Sequence, residues 1–230
     1  KEDIVLDVGP GLGFLTKKLA QRVKKVISVE LDDQIYDYLK KRQAKGELKN
    51  VELIHNNVLD IGPEIKYNKV VANLPYNISS RFLQIFLSQR KRPELFVLML
   101  QKEVVDRILA KPGKLSLLGI SVQYFSNPEM ICQVQKEDFW PSPKVDSAVV
   151  KLDCNREKFV EKMKPLEKDF FRLVKIGFSS KRKMLKNNLA NVYDFSQQEF
   201  EQILEKNSFN IKTRAQELSI EDWLKLLGSF

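Results

Sequence analysis

Apolar residues recur with two different periods along this chain, and the switch from one to the other divides it. Ile4-Val5-Leu6-Asp7-Val8 is a short, nearly continuous apolar run that stops at Gly9, the form a strand takes when both its faces are covered. Over residues 12–23, Leu15, Leu19 and Val23 return at i, i+4 and i+8, which predicts a helix. The alternation continues with a buried strand over 26–29 ending at Glu30, and a helix over 33–45 with Ile35 and Leu39 on one face. Strands follow over 51–54 and 69–72, then a helix over 79–87 with a serine as its cap. The unbroken run over 95–100 reads as a strand in the middle of a parallel sheet. Residues 104–109 and 115–125 carry helical spacing, and 130–134 with 147–152 read as a closing antiparallel pair. Alternating strands and helices predict an α/β fold: a doubly wound, Rossmann-like sheet, mostly parallel with one antiparallel strand.

After Asp153 the strand-like runs cease. Phe159-Val160, Phe170-Phe171-Leu173-Val174, Leu185 with Leu189, Phe200-Ile203-Leu204 and Trp223-Leu224-Leu226-Leu227 recur at helical intervals only. The pattern therefore predicts two domains, an α/β domain over 1–153 and a small all-helical domain over 154–230. A chain of 230 residues, 43% hydrophobic, can bury one sizeable core with residues left for a second. Nine glycines and nine prolines, spread along the chain, exclude fibrous and disordered classes. No stretch approaches the roughly 20 consecutive apolar residues of a membrane helix, and the opening residues lead straight into an apolar run, so no signal peptide is expected. The chain does not begin with Met, and an N-terminal segment is expected to be missing. Cys132 and Cys154 lie in strand-like runs and are expected to be reduced core thiols of a cytosolic protein. Trp140 and Trp223 read as packing residues.

The net charge of +9 and pI of about 9.4 change the picture by favouring a polyanionic partner. Between Arg172 and Lys186 stand six basic residues (Arg172, Lys175, Lys181, Arg182, Lys183 and Lys186) and no acidic one. They are candidates for phosphate contacts, against the plainer reading of a solvated helix face. Arg90-Lys91-Arg92 is a second, weaker cluster. The single histidine, His55, and two separated cysteines make no metal-binding pattern.

Gly9-Pro10-Gly11-Leu12-Gly13 lies between the first strand and the first helix, where glycines permit a sharp turn and close approach of a ligand to backbone N–H groups. A dinucleotide fingerprint would place its third glycine one position later, where Phe14 stands. Glu30, seventeen residues past Gly13, ends the second strand, where an acid can accept both hydroxyls of a ribose. Turn and acid together indicate an adenosine-containing cofactor, without separating a nicotinamide from S-adenosyl-L-methionine.

Asn73-Leu74-Pro75-Tyr76 follows the fourth strand, at the carboxyl edge where open α/β sheets bind ligands. Methylation of an aromatic amine explains those residue types. The lone pair of an adenine amine is delocalised into the ring; two acceptors on its two hydrogens favour a pyramidal nitrogen with the lone pair aimed at a methyl donor. The Asn73 side-chain oxygen and the Leu74 carbonyl can be those acceptors. Pro75 stiffens the turn and removes a competing donor, and Tyr76 offers a face on which a base can stack. No general base is required, because the methylated product loses its proton readily to water.

The runs 71–80 (Val-Ala-Asn-Leu-Pro-Tyr-Asn-Ile-Ser-Ser), 139–150 (Phe-Trp-Pro-Ser-Pro-Lys-Val-Asp-Ser-Ala-Val-Val), 177–189 and 214–219 resemble the ribosomal RNA adenine dimethyltransferase family of the KsgA type, across essentially the whole chain. The resemblance implies S-adenosyl-L-methionine as cofactor, with Gly9 at its methionine end, Glu30 at its ribose, Pro10, Gly11, Gly13 and Leu31 among the other residues that bind it, and Asn73 beside both cofactor and target amine. It implies an adenine site at Asn57 and Val58, where the family carries an Asp in place of Asn57; Asp60 stands three places too late. It also implies that Phe139 sandwiches a flipped base against Tyr76, and that a segment preceding the first strand helps close the cofactor pocket. The implied activity is dimethylation of two adjacent adenines in the 3′-terminal hairpin loop of small-subunit rRNA, on an immature subunit, by a cytoplasmic monomer without metal or membrane. Two other readings stand beside it: a large-subunit rRNA methyltransferase of the antibiotic-resistance type, and a non-catalytic ribosome-assembly or transcription factor on the same fold.

Overall fold

The sheet has seven strands: β1 (Ile4–Val8), β2 (Lys25–Glu30), β3 (Val51–His55), β4 (Lys69–Asn73), β5 (Leu95–Gln101), β6 (Asn127–Val134) and β7 (Ser147–Asp153). In this computed structural model, which describes residues 2–62, 64–155, 163, 166–190, 192–193 and 196–230, their order is β3-β2-β1-β4-β5-β7-β6. The Phe159-Val160 pair lies outside the described residues. β1 runs parallel to both β2 and β4, and β4 parallel to β5. β7 is antiparallel to both of its neighbours, so it is the one reversed strand. β5 accordingly lies inside the sheet, between one parallel and one antiparallel partner, and alternates buried with half-buried residues.

The chain divides into two compact units, residues 1–105 with 126–155, and 106–125 with 156–230. In the first, the strands feed helices α1 (Phe14–Ala20), α2 (Asp33–Ala44), α3 (Ser79–Leu87) and, across the boundary, α4 (Lys102–Ile108). Asp32 caps α2 by accepting from the Gln34 and Ile35 N–H groups. Ser79 does not cap α3 as its residue type suggested: it is already helical, and its hydroxyl bonds back to the Pro75 carbonyl at 3.2 Å. α3 is amphipathic and buries Phe82, Leu83, Phe86 and Leu87, with the Phe82 and Phe86 rings stacked at 4.0 Å. β6 is an edge strand, interrupted between Met130 and Cys132, and there the expectation of two core thiols fails: Cys154 is buried but Cys132 is exposed, and both are free.

The second unit contains α5 (Leu117–Phe125), α6 (Glu167–Gly177), α7 (Leu185–Leu189), α8 (Gln197–Lys206) and α9 (Ile220–Leu227). α5 falls among the alternating elements in chain order, yet it groups with these helices because Tyr124 packs on Phe170 at 4.8 Å and Phe125 on Phe171 at 5.5 Å. Phe170, Leu173, Leu189, Phe200, Leu204 and Trp223 form its core. Trp223 is a packing residue, as its spacing predicted; a Cβ on Gly177 would sit 2.3 Å from its ring. Reciprocal caps open α8 (Ser196 with Glu199) and α9 (Ser219 with Asp222).

Candidate active site

The strand order reverses direction between β1 and β4, so the loops leaving their carboxyl ends part and open a crevice. The glycine turn leaves β1 and the Asn73-to-Tyr76 corner leaves β4. Gly9, Gly11 and Gly13 have φ of 62°, 53° and 76°, the left-handed region that favours glycine. The Gly9 N–H donates to the Val29 carbonyl (3.0 Å) and the Gly13 N–H to the Pro10 carbonyl (2.9 Å), which folds the turn back on itself. A Cβ at Gly13 would lie 2.8 Å from Leu39 Cδ2, so that glycine permits the packing of α1 against α2. At Gly11 a Cβ would meet nothing within 4 Å, which leaves an open cradle beside the backbone. At Gly9 it would lie 3.6 Å from the Pro75 ring. Turn and corner are therefore direct neighbours, although 66 residues separate Gly9 from Pro75.

Glu30 is buried at the end of β2, and its Oε1 accepts from the Leu31 and Asp32 N–H groups at 2.8 and 2.9 Å. Those bonds fix the carboxylate and leave Oε2 facing no protein donor among the hydrogen bonds of the described residues. Leu31 next to it is 66% exposed. His55 supports this corner, its ring stacked on Tyr36 at 4.6 Å and its Nε2 within 3.2 Å of the Leu31 carbonyl and 3.1 Å of Asp33 Oδ1. Asn57 caps the short helical turn Val58–Asp60: its side-chain oxygen accepts from the Leu59 N–H at 3.1 Å, so one of its lone pairs is used locally. Val58 is buried beneath it.

Asp7 escaped the sequence reading. Its signal was an acid inside the apolar run Ile4-Val5-Leu6-Asp7-Val8, directly before the glycine turn. The side chain is fully buried; the Thr16 hydroxyl donates to Oδ2 at 2.6 Å, while Oδ1 has no hydrogen-bond partner. Burial pushes this carboxyl up to about 6, against the Thr16 bond, with the nearby charge of Glu30 adding to the rise. An acid with one buried oxygen unused, an open cradle at Gly11 and the spare Oε2 of Glu30 fit a ligand with a cationic end and a ribose.

At the corner, Asn73 is exposed while the Leu74 side chain is buried, its N–H donating to the Met99 carbonyl at 3.3 Å. The Pro75 carbonyl accepts from the Ile78 N–H and the Ser79 hydroxyl, which turns the chain directly into α3. The Tyr76 hydroxyl and Ser147 Oγ are hydrogen-bonded at 2.7 Å, and Ser147 is wholly buried at the start of β7. Ser147 lies inside the 139–150 run, but nothing in the sequence paired it with a tyrosine 71 positions earlier. Phe139, half-buried, follows the helical turn Lys136–Asp138 on the loop that ends at Ser147. Trp140 on that loop is 97% exposed, which overturns its reading as a packing residue.

In the helical unit, Arg172, Lys175, Lys181, Arg182 and Lys183 are exposed, as solvent- or phosphate-facing cations must be. Lys186 differs: its ammonium is ion-paired with Glu201 and its side chain is 13% exposed, so contact with a phosphate would mean breaking that pair. Among the described residues there is no cluster of metal-ligating side chains and no helix long and apolar enough to cross a membrane.

A doubly wound sheet with a glycine turn, a ribose-type acid and a polar-then-proline corner at its switch point defines the Rossmann-like methyltransferases. Within that class the chain belongs to the ribosomal RNA adenine dimethylase family, whose sequence model matches residues 1–230. It is 41% identical to the ribosomal RNA small subunit methyltransferase A of Dehalococcoides mccartyi, over 97% of this chain and 77% of that protein. It is 39% identical to the protein of the same name from Nostoc sp., over 97% of this chain and 86% of the relative. Among solved structures, a dimethyladenosine transferase from Plasmodium falciparum superposes with a TM-score of 0.81 at 30% identity, covering 98% of this chain and 88% of that one. The 23S rRNA methyltransferase ErmE shares the fold, with a TM-score of 0.75 at 23% identity over 99% and 91% of the two chains.

Proposed function

We propose that this protein transfers methyl groups from S-adenosyl-L-methionine to the N6 amines of two adjacent adenines in the 3′-terminal hairpin loop of small-subunit rRNA, on an immature subunit in the cytoplasm, as a monomer. The observation that carries this reading is the adjacency of the Asn73-to-Tyr76 corner and the glycine turn, Pro75 lying 3.6 Å from where a Gly9 Cβ would be. The small-subunit substrate is supported by the relatives matched at 39–41% identity, both small-subunit methyltransferases by name.

The bound cofactor supplies an electrophilic methyl group on a sulfonium. Gly9, Pro10, Gly11 and Gly13 hold its amino-acid end with backbone groups, Asp7 offers its unused Oδ1 to the ammonium, and Glu30 takes a ribose hydroxyl on Oε2. Asn57 and Val58 flank its adenine. Asn73 Oδ1 and the Leu74 carbonyl accept from the two hydrogens of the target amine and hold its lone pair on the line of transfer, so catalysis is chiefly alignment. Tyr76 and Phe139 hold the extruded base between their rings, at about 1–3 kcal/mol of stacking per base. The exposed cations Arg172, Lys175, Lys181, Arg182 and Lys183 neutralise phosphates of the surrounding RNA, and Lys186 joins them only if it leaves Glu201.

The test is Asn73→Ala assayed with radiolabelled S-adenosyl-L-methionine on small subunits lacking the modification. Loss of an acceptor that acts in the transition state is expected to cut turnover by roughly 10²–10³-fold, with cofactor affinity largely retained. Turnover equal to that of the parent protein would overturn the assignment.

A further inference from the structure

Trp140 is the most exposed large apolar side chain of the described residues, at 97%, and it stands on a loop that is otherwise firmly tied. Lys136 anchors one end: its N–H donates to Asp146 Oδ1 (3.1 Å), and its carbonyl accepts from the Ser142 hydroxyl (2.8 Å) and, at 3.3 Å, from the Phe139 N–H. At the other end the Lys102 N–H donates to the Asp146 carbonyl (2.9 Å), and Ser147 reaches the Tyr76 hydroxyl (2.7 Å). The loop therefore holds the indole in water, next in the chain to Phe139, one of the two rings assigned to the target base, and on the loop that ends at Ser147, the partner of the other. An indole carries 150–250 Å² of surface that a fold ordinarily covers. Here folding has left that surface out and fixed its position.

The charges around it favour an anionic partner. Asp146 and Asp138 spend carboxylate oxygens on the Lys136 and Gln135 N–H groups, and Lys136 lies 3.9 Å from Glu137. Lys144, three residues after Pro141, is exposed and forms no ion pair among the described residues. An exposed aromatic face with an unpaired cation on the same strap, in a chain of net charge +9, is the combination that binds single-stranded nucleic acid by stacking and phosphate contact.

We infer that Trp140 is a second stacking platform, which takes the unpaired nucleotide flanking the adenine held by Tyr76 and Phe139, with Lys144 on its phosphate. This rests on the proposed RNA substrate, and it adds a residue that reads the neighbour of the target instead of the target itself. Because stacking is indifferent to base identity, the platform would position the loop without selecting its sequence.

The chain has two tryptophans, and Trp223 is buried, so Trp140 is its only solvent-accessible indole. The probe is a fluorescein-labelled RNA stem-loop with two adjacent unpaired adenines, and saturation is monitored by its anisotropy. Bound RNA is expected to quench Trp140 emission and shield it from acrylamide. Trp140→Ala should weaken stem-loop binding by roughly 5- to 150-fold, the equivalent of about 1–3 kcal/mol. Trp140→Phe should recover most of it, and methyl transfer at subunit concentrations below saturation should fall for Trp140→Ala in parallel with its loss of binding. Unaltered acrylamide quenching at saturating RNA, or equal affinity of Trp140→Ala and the parent, would overturn the inference. So would a change of sedimentation coefficient in Trp140→Ala alone, which would mark the indole as a contact between copies of the chain. Failure of the parent protein to methylate small subunits would instead strike the proposed function, and the two failures are separable.

Discussion

Replacing Asp7 with Asn tests whether the fold tolerates a buried charge for the sake of a ligand. The Asp7 carboxyl is fully covered, receives one hydrogen bond from Thr16 at 2.6 Å, and has its other oxygen unpaired. Burial raises it from 3.8 to about 6, a shift of roughly two units, and at 1.36 kcal/mol per unit that is about 3 kcal/mol. The sign follows from proton counting. Between pH 4 and pH 6 the folded protein keeps the Asp7 proton while the unfolded chain has lost it, so stability falls as pH rises through that window. Above pH 6 the folded state carries the full cost of the ionised group; below pH 4 both states are protonated and the cost vanishes. Asn has the same shape, accepts the Thr16 bond and does not titrate. The stability difference between Asp7→Asn and the parent should therefore move by about 3 kcal/mol in favour of the variant between pH 4 and pH 7.5. For a chain of this size that is roughly 6–12 °C in the Tm difference, measured by calorimetry at a series of pH values without ligand. Any constant penalty from the new amide cancels in this comparison, as do the titrating groups that do not interact with Asp7; the charge of Glu30 is already part of the Asp7 shift. At pH 7.5 the variant should also bind S-adenosyl-L-methionine more weakly. A Tm difference that stays flat across the series would refute the burial argument whatever the binding result.

The Tyr76–Ser147 bond invites a double-mutant cycle. Tyr76→Phe and Ser147→Ala should each lower kcat/KM on small subunits by roughly 2- to 13-fold, the range of a neutral hydrogen bond, with the tyrosine variant worse because it strands the buried Ser147 hydroxyl. The double variant should be no worse than Tyr76→Phe; losses that multiply would deny the coupling. Charge reversal of Lys181, Arg182 and Lys183 together should weaken RNA binding and reduce the slope of log affinity against log salt by about 2–3, as for three lost phosphate contacts. An unchanged slope would return that segment to an ordinary solvated surface.

Period-two and period-3.6 patterns, with the glycine and proline stops between them, determine the element order of this protein, because each short run can bury its apolar face in only one kind of layer. The glycine turn, Glu30 and the Asn73-to-Tyr76 corner were legible for the same local reason: their residue types answer backbone or chemical demands met within a few positions. Contacts across long sequence separations belong to the tertiary structure. Strand order alone brings β1 and β4 side by side and so seats Pro75 against Gly9. The crossing of distant segments pairs Tyr76 with Ser147, and it attaches α5 to the helical unit through Tyr124 and Phe125. Burial, which no one-dimensional pattern reports for a single polar or aromatic residue, separated Asp7 from a solvated acid, Lys186 from the free cations beside it, and exposed Trp140 from buried Trp223. Side-chain type is a property of the chain; the dielectric and the partners around it exist only once the chain has closed on itself.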